Sequence, residues 1–133
     1  MIYKTRTFSQ KIRKRDQTSV LEIIQTHEGR ILNISIIGEL DARSSIQLDE
    51  VLKEAFETEN FKLVVNCESL RYISSAGLGV FISHFENFKQ QNGKIVLFNM
   101  SAKILQVFEI LGLDKVMEIA DDREDAGKKF NAG

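Results

Sequence analysis

Apolar residues recur along this chain with three different spacings, and each change of spacing falls beside a glycine, serine or asparagine. Residues 20–25 and 30–37 are rich in β-branched side chains and flank Thr26-His27-Glu28-Gly29. That arrangement predicts an antiparallel hairpin with the glycine in its turn and with Leu32, Ile34 and Ile36 on one face. Beyond Gly38-Glu39-Leu40-Asp41 the period lengthens: Leu48, Val51, Leu52, Ala55 and Phe56 form the stripe of a one-sided helix, with Ser44 or Ser45 as its cap. Leu63-Val64-Val65-Asn66-Cys67 is continuous rather than alternating, as expected of a strand covered on both faces.

A second helical stripe, Leu78, Phe81, Ile82, Phe85 and Phe88, ends near Gln91-Asn92-Gly93, where the glycine is expected to take a left-handed cap. Lys94 to Phe98 predicts the next strand. Ile104, Val107, Phe108 and Leu111 predict a third helix ending at Gly112, residues 116–119 a short strand, and residues 121–130 an acidic-to-basic terminal helix. The expected order is β-β-α-β-α-β-α-β-α. Strands separated by helices pair in parallel through right-handed crossovers, so the predicted class is α/β. The sheet is mixed, an N-terminal hairpin plus parallel strands, with about four helices packed on it.

Composition narrows the classes of function. The 133 residues, 43% of them hydrophobic, suit one domain with a single core. A net charge of −1 argues against wholesale nucleic-acid binding, so no direct nucleic-acid partner is expected. Charge is nonetheless uneven: Lys4, Arg6, Lys11, Arg13, Lys14 and Arg15 occur before the first acidic residue. Residues 1–18 read as a solvated basic arm, and residues 19–133 as the folded domain. The arm is too poor in apolar residues for a secretory signal, and no apolar run approaches the roughly 18–20 residues of a membrane span. One cysteine, Cys67, permits no intrachain disulfide, and a cytoplasmic location is expected.

Candidate chemistry centres on Ser74-Ser75-Ala76-Gly77-Leu78-Gly79, where a strand-like run meets a helix. A helix N-terminus, with unpaired N–H groups and the positive end of the dipole, favours a phosphate or other anion. Capping alone explains such serines equally well, and Ser44-Ser45 before another helix is an internal control. Gly77 and Gly79 set the later pair apart, since small residues let a partner or phosphate come close to the backbone. Glu39, Asp41 and Glu68 fall at predicted strand ends, where they could share one edge of the sheet with Ser75.

Enzymatic readings fail on the same residues. A serine-hydrolase elbow needs G-x-S-x-G, but residues 73–77 are Ile-Ser-Ser-Ala-Gly. His84 lies nine residues past Ser75 on one helix, displaced by roughly 13 Å along the axis, and His27 falls in a predicted turn remote from it. Gly77-Leu78-Gly79 starts a dinucleotide fingerprint that Ile82 breaks. There is no phosphate-loop lysine and no Cys/His cluster with ligand spacing, so no catalytic residue, metal or cofactor is expected. Cys67, closing an apolar run, reads as a small buried residue.

Gly38-Glu39-Leu40-Asp41 before a helix, residues 63–66, the stretch Leu70 to Gly79 and Asn92-Gly93-Lys94 together resemble the STAS family of bacterial anti-sigma factor antagonists, over about residues 19–125. The resemblance implies a mixed sheet with packed helices. It also implies that Ser75 is phosphorylated by a partner serine kinase that doubles as the anti-sigma factor, and that a serine phosphatase reverses this. Asp41, by the same resemblance, lies near the phosphorylation site and the partner surface. The expected partner-binding set is Glu39, Asp41, Ser74, Ser75, Ala76, Gly77 and Leu78. At Ser74 the chain departs from the best-studied members of the family, which have aspartate directly before the acceptor, and Ser74 is then an alternative acceptor. The unphosphorylated form is expected to bind the anti-sigma kinase and free a sigma factor. A second reading is a STAS scaffold or transport-accessory subunit holding a permanent protein partner. Oligomeric state is left open, a dimer included.

Overall fold

The computed structural model describes residues 5–11 and 20–131. In chain order it contains β1 (Thr5–Lys11), β2 (Val20–Glu28), β3 (Ile31–Leu40), α1 (Ser45–Glu57), β4 (Lys62–Asn66), β5 (Leu70–Ile73), α2 (Ser75–Gln90), β6 (Lys94–Phe98), α3 (Ala102–Ile110), a 3-10 turn (Leu113–Lys115), β7 (Glu118–Ala120) and α4 (Arg123–Asn131). The seven strands among the described residues make one mixed sheet in the order β1-β2-β3-β4-β6-β7, with β5 also paired to β3. The β1–β2 and β2–β3 pairings are antiparallel, and every other pairing is parallel.

Side-chain alternation explains the layers. In β3 every second residue from Leu32 to Leu40 is buried while the others are half-buried. In β4 and β6 consecutive residues, Leu63 to Val65 and Ile95 to Phe98, are buried on both faces. Accordingly α1, α2 and α3 pack with Leu32, Ile34, Leu63, Val65, Ile95 and Leu97 on one face. Ala126 and Phe130 of α4 pack with Val64, Val96 and Phe98 on the other. Phe88 anchors the larger layer, its ring edge-on to Phe56 and Phe61 at 5.5 and 6.1 Å between centroids.

Two strands were not anticipated. Thr5–Lys11 lies in the stretch read as a solvated arm, yet pairs with β2 from Thr5 opposite Thr26 to Lys11 opposite Val20. Residues 1–4 and 12–19, with the remaining basic side chains of that stretch, lie outside the described residues. β5 has only four residues and buries just its two ends, so it shows no period of its own. It exists because β4 leaves the edge of β3 after Ser35, and β5 takes that edge from Gly38 to Leu40 across a register shift. Gly38, at φ 121°, supplies the irregular backbone there and donates its N–H to the Ser69 carbonyl at 3.0 Å.

The helix ends correct a further expectation. After α2 it is Asn92, at φ 58°, that turns left-handed, and Gly93 is not among the positive-φ glycines. Gly93 N–H donates to the Phe88 carbonyl at 2.7 Å and Asn92 N–H to that of Lys89 at 3.0 Å, a Schellman pair. Glycine is required at 93 by crowding, since a Cβ there would lie 2.7 Å from the Phe61 carbonyl oxygen. α1 ends the same way, with Glu59 at φ 60° and Asn60 N–H donating to the Ala55 carbonyl at 2.8 Å. A charged residue in that conformation carries a strain of roughly 1 kcal/mol that glycine escapes. Glu59→Gly is therefore expected to raise stability by about 0.5–1 kcal/mol in chemical denaturation, with unchanged m-value.

Candidate functional site

Parallel pairing of β3 and β5 puts Leu40 opposite Ile73, so both strands end together and each feeds a helix. Ser74 N–H donates to the Leu40 carbonyl at 2.8 Å, tying the two exits side by side. The N-termini of α1 and α2 are thereby brought to one edge of the sheet, with Asp41 at one exit and Ser74-Ser75 at the other.

At the α1 exit the capping group is Asp41, not Ser44 or Ser45. Its Oδ1 accepts from the N–H groups of Arg43 at 3.0 Å and Ser44 at 2.8 Å, and its carbonyl accepts from Ser45 N–H at 3.0 Å. Ser44 Oγ turns back to donate to the Glu39 carbonyl at 2.6 Å while accepting from Asp41 N–H at 3.0 Å. Ser45 Oγ is buried without a partner, 3.3 Å from where a Cβ on Gly77 would stand. An aspartate serves here because its carboxylate reaches two N–H groups at once and sits at the positive end of the helix.

The α2 exit divides the two serines. Ser74 is extended, at φ −91° and ψ 173°, and its Oγ accepts from Gly77 N–H at 3.3 Å, so its hydroxyl is the N-cap. Ser75 is the first helical residue, exposed, and its hydroxyl makes no hydrogen bond among the described residues. Its own N–H and that of Ala76 have no intrahelical acceptor, as at any helix start. Ala76 and Gly79 are exposed beside it, whereas Gly77 and Leu78 are buried and seat the helix on the core. Of the two glycines only Gly79 opens the surface, since nothing lies within 4 Å of a Cβ there.

Between the helix starts runs a groove of about 210 Å³ lined by Ala42, Ser45, Ile46 and Asp49 from the α1 side and Ala76 and Val80 from α2. Ile46 is 59% exposed on its wall, an apolar side chain that the helical stripe did not single out. Asp49 Oδ1 lies 2.7 Å from Nε2 of buried His84, which ties α1 to α2. Glu39 is the next-to-last residue of β3, opposite Tyr72, and alternation puts it on the face away from α1 and α2. Glu68 sits in the β4–β5 loop, its N–H bound to Asn66 Oδ1 at 3.0 Å, further down the β3 edge than Asp41. His27 is in β2 rather than a turn, with Nε2 3.1 Å from Asn60 Oδ1. Burial raises the Cys67 thiol from 9.0 to about 12, which keeps it protonated at neutral pH.

The sequence profile of the STAS domain matches residues 22–126, a span that contains both helix exits and the whole parallel part of the sheet. The chain belongs to the STAS domain family. Within it, the anti-sigma-B factor antagonist of Listeria monocytogenes is 33% identical over 88 residues, 66% of this chain and 77% of that protein. The anti-sigma-B factor antagonist of Staphylococcus aureus is 29% identical over 104 residues, 78% of this chain and 96% of that protein. Among solved structures, the Bacillus cell fate determinant SpoIIAA in its phosphorylated form superposes with a TM-score of 0.64 at 22% identity, covering 83% of this chain and 98% of its own. This STAS domain is thus a member of the anti-sigma factor antagonist family, whose proteins are non-enzymatic regulators. Among the described residues of the STAS domain no helix is long and apolar enough to cross a membrane.

Proposed function

We propose that this chain is a phosphorylation-switched antagonist of an anti-sigma factor in the bacterial cytoplasm, with Ser75 as the phosphoacceptor. The observation that carries this reading is the division of labour between the serines: Ser74 Oγ is engaged as the cap, while Ser75 Oγ is exposed and unbonded. A kinase needs a hydroxyl it can surround and deprotonate without breaking the helix start. Ser75 meets that requirement.

Unmodified, the edge formed by Asp41, Ser75, Ala76 and the Ile46 groove binds an anti-sigma factor that is also a serine kinase, and a sigma factor is freed. Phosphorylation adds about −1.5 to −2 charges and three acceptor oxygens at one point. The N–H groups at the start of α2 accommodate that charge, so the fold persists, but a partner laid across the same edge meets a bulky dianion. A serine phosphatase resets the switch. Incubation with the cognate kinase and ATP, followed by mass spectrometry, is expected to place phosphate on wild type and Ser74→Ala but not on Ser75→Ala. Phosphate that persists in Ser75→Ala and vanishes in Ser74→Ala transfers the role to Ser74.

A further inference from the structure

A cavity of about 300 Å³ lies at the other end of α2, between its last turns, the start of β6 and residues 115–118. It is separate from the helix-start edge: Lys89 on its rim is fourteen residues from Ser75, about 21 Å along the helix. Its apolar lining is Phe85, Ile95, Val116 and Met117, of which Ile95 and Met117 are buried and Val116 is 61% exposed. Its rim is cationic. Lys89 and Lys115 stand on opposite elements, and their ammonium groups enter no ion pair or hydrogen bond among the described residues. Lys94 Nζ is held by the Lys129 carbonyl at 2.7 Å, and Glu118, the one carboxylate of the lining, lies 3.8 Å from Lys129 Nζ. The acid is thus offset from outside the cavity, and the lysines of the rim are left in excess.

A concave apolar lining under unpaired cations is complementary to one kind of ligand, a small organic anion with an apolar body and a single charged head. The volume is at the lower end of ligand pockets, enough for one or two rings or a short chain. Lysine ammonium groups bind a phosphate or carboxylate head as point charges without demanding a fixed orientation. The negative end of α2 works against an anion even with its Phe88 and Lys89 carbonyls taken by the N–H groups of Gly93 and Asn92, but by less than one charge-assisted contact to a lysine contributes. We infer that this cavity is a binding site for a small amphiphilic organic anion, its head between Lys89 and Lys115 and its body on Phe85, Val116 and Met117.

Titration of the full chain with 1-naphthyl phosphate, followed by amide NMR, tests this without any kinase, so its outcome is independent of the Ser75 assignment. Saturable one-to-one shifts are expected at residues 85–95 and 115–118. Lys89→Glu and Lys115→Glu are each expected to weaken binding at least about tenfold, the effect of losing one charge-assisted contact, while both stay folded; Lys89→Glu loses only the small stabilisation that a cation in the last turn of α2 gains from the helix dipole. Neutral 1-naphthol is expected to bind at least about tenfold more weakly than the phosphate. Shifts that do not saturate, that centre on residues 74–80, or that survive both charge reversals overturn the inference. Equal binding of naphthol removes the anion from it.

Discussion

Phosphorylation of Ser75 is expected to weaken binding to the cognate anti-sigma factor on the order of a hundredfold, close to 2.7 kcal/mol, read by calorimetric titration of the modified and unmodified chains. The size follows from where the hydroxyl stands. It is exposed and next in the chain to Ala76, which lines the groove with Val80 and Ile46, so a partner covering that groove and the start of α2 desolvates whatever Ser75 carries. Burying a dianion with no matching cation costs several kcal/mol, and the start of α2 returns only part of that, about 0.3–1 kcal/mol for an exposed helix terminus. Ser75→Asp places one charge closer to the backbone and has fewer acceptor oxygens, so a loss of roughly tenfold is expected. Ser75→Ala should bind within about threefold of wild type and become insensitive to kinase and ATP. Ser74→Ala loses the cap, about 1 kcal/mol of stability, yet should still be switched. Equal affinity of phosphorylated and unmodified protein sinks the proposed switch, whatever residue carries the phosphate.

Gly77→Val and Gly79→Ala are expected to move stability in opposite directions although they lie two residues apart on α2. A Cβ on Gly77 would stand 2.9 Å from Ile73 Cγ1 and 3.0 Å from Leu40 Cβ. Both neighbours are buried at the paired ends of β5 and β3, and neither is the free end of a flexible chain. Valine must therefore push α2 off the sheet, at about 3 kcal/mol by the measure of overpacked cores. At Gly79 nothing lies within 4 Å, so alanine only improves helix propensity, a gain of roughly 0.5–1 kcal/mol. Urea denaturation of the two variants checks both signs. The consequence for function is specific: displacing α2 moves Ser75 and Ala76 relative to Asp41, so Gly77→Val should lose partner binding even where it remains folded. Stability of Gly77→Val equal to wild type would mean that the helix starts are not packed as described.

Legibility in the chain followed the strength of local pattern. α1, α2, β4 and β6 carry long stripes or continuous apolar runs, and periodicity is sufficient where one or both faces must be buried. β5 escaped because Leu70-Arg71-Tyr72-Ile73 has no such pattern; it is a strand only because β3 offers an edge that β4 has left. β1 escaped for a similar reason, since its basic residues resemble a solvated arm until β2 supplies a ladder. The α1 cap went to Asp41 rather than a serine because three turn residues intervene before regular helix, and a carboxylate can reach back across them. Histidine placement was half right. His84 was correctly kept away from Ser75, but its bond to Asp49 joins two helices that sequence spacing cannot bring together.

By itself the sequence determined the class of fold, the Ser74–Gly79 junction and the mismatch of that junction with the serine-hydrolase and dinucleotide motifs, because these depend on residue type and spacing within a few turns of chain. Only the tertiary structure decided which serine is the cap and which is free. It also decided that Gly77 faces the core while Gly79 faces outward, and that lysines from α2, β6 and the 3-10 turn line one cavity. Those facts rest on contacts between strands and helices far apart in sequence. No local periodicity encodes them, since each is set by which edge of β3 remains open and by how closely α2 lies on it.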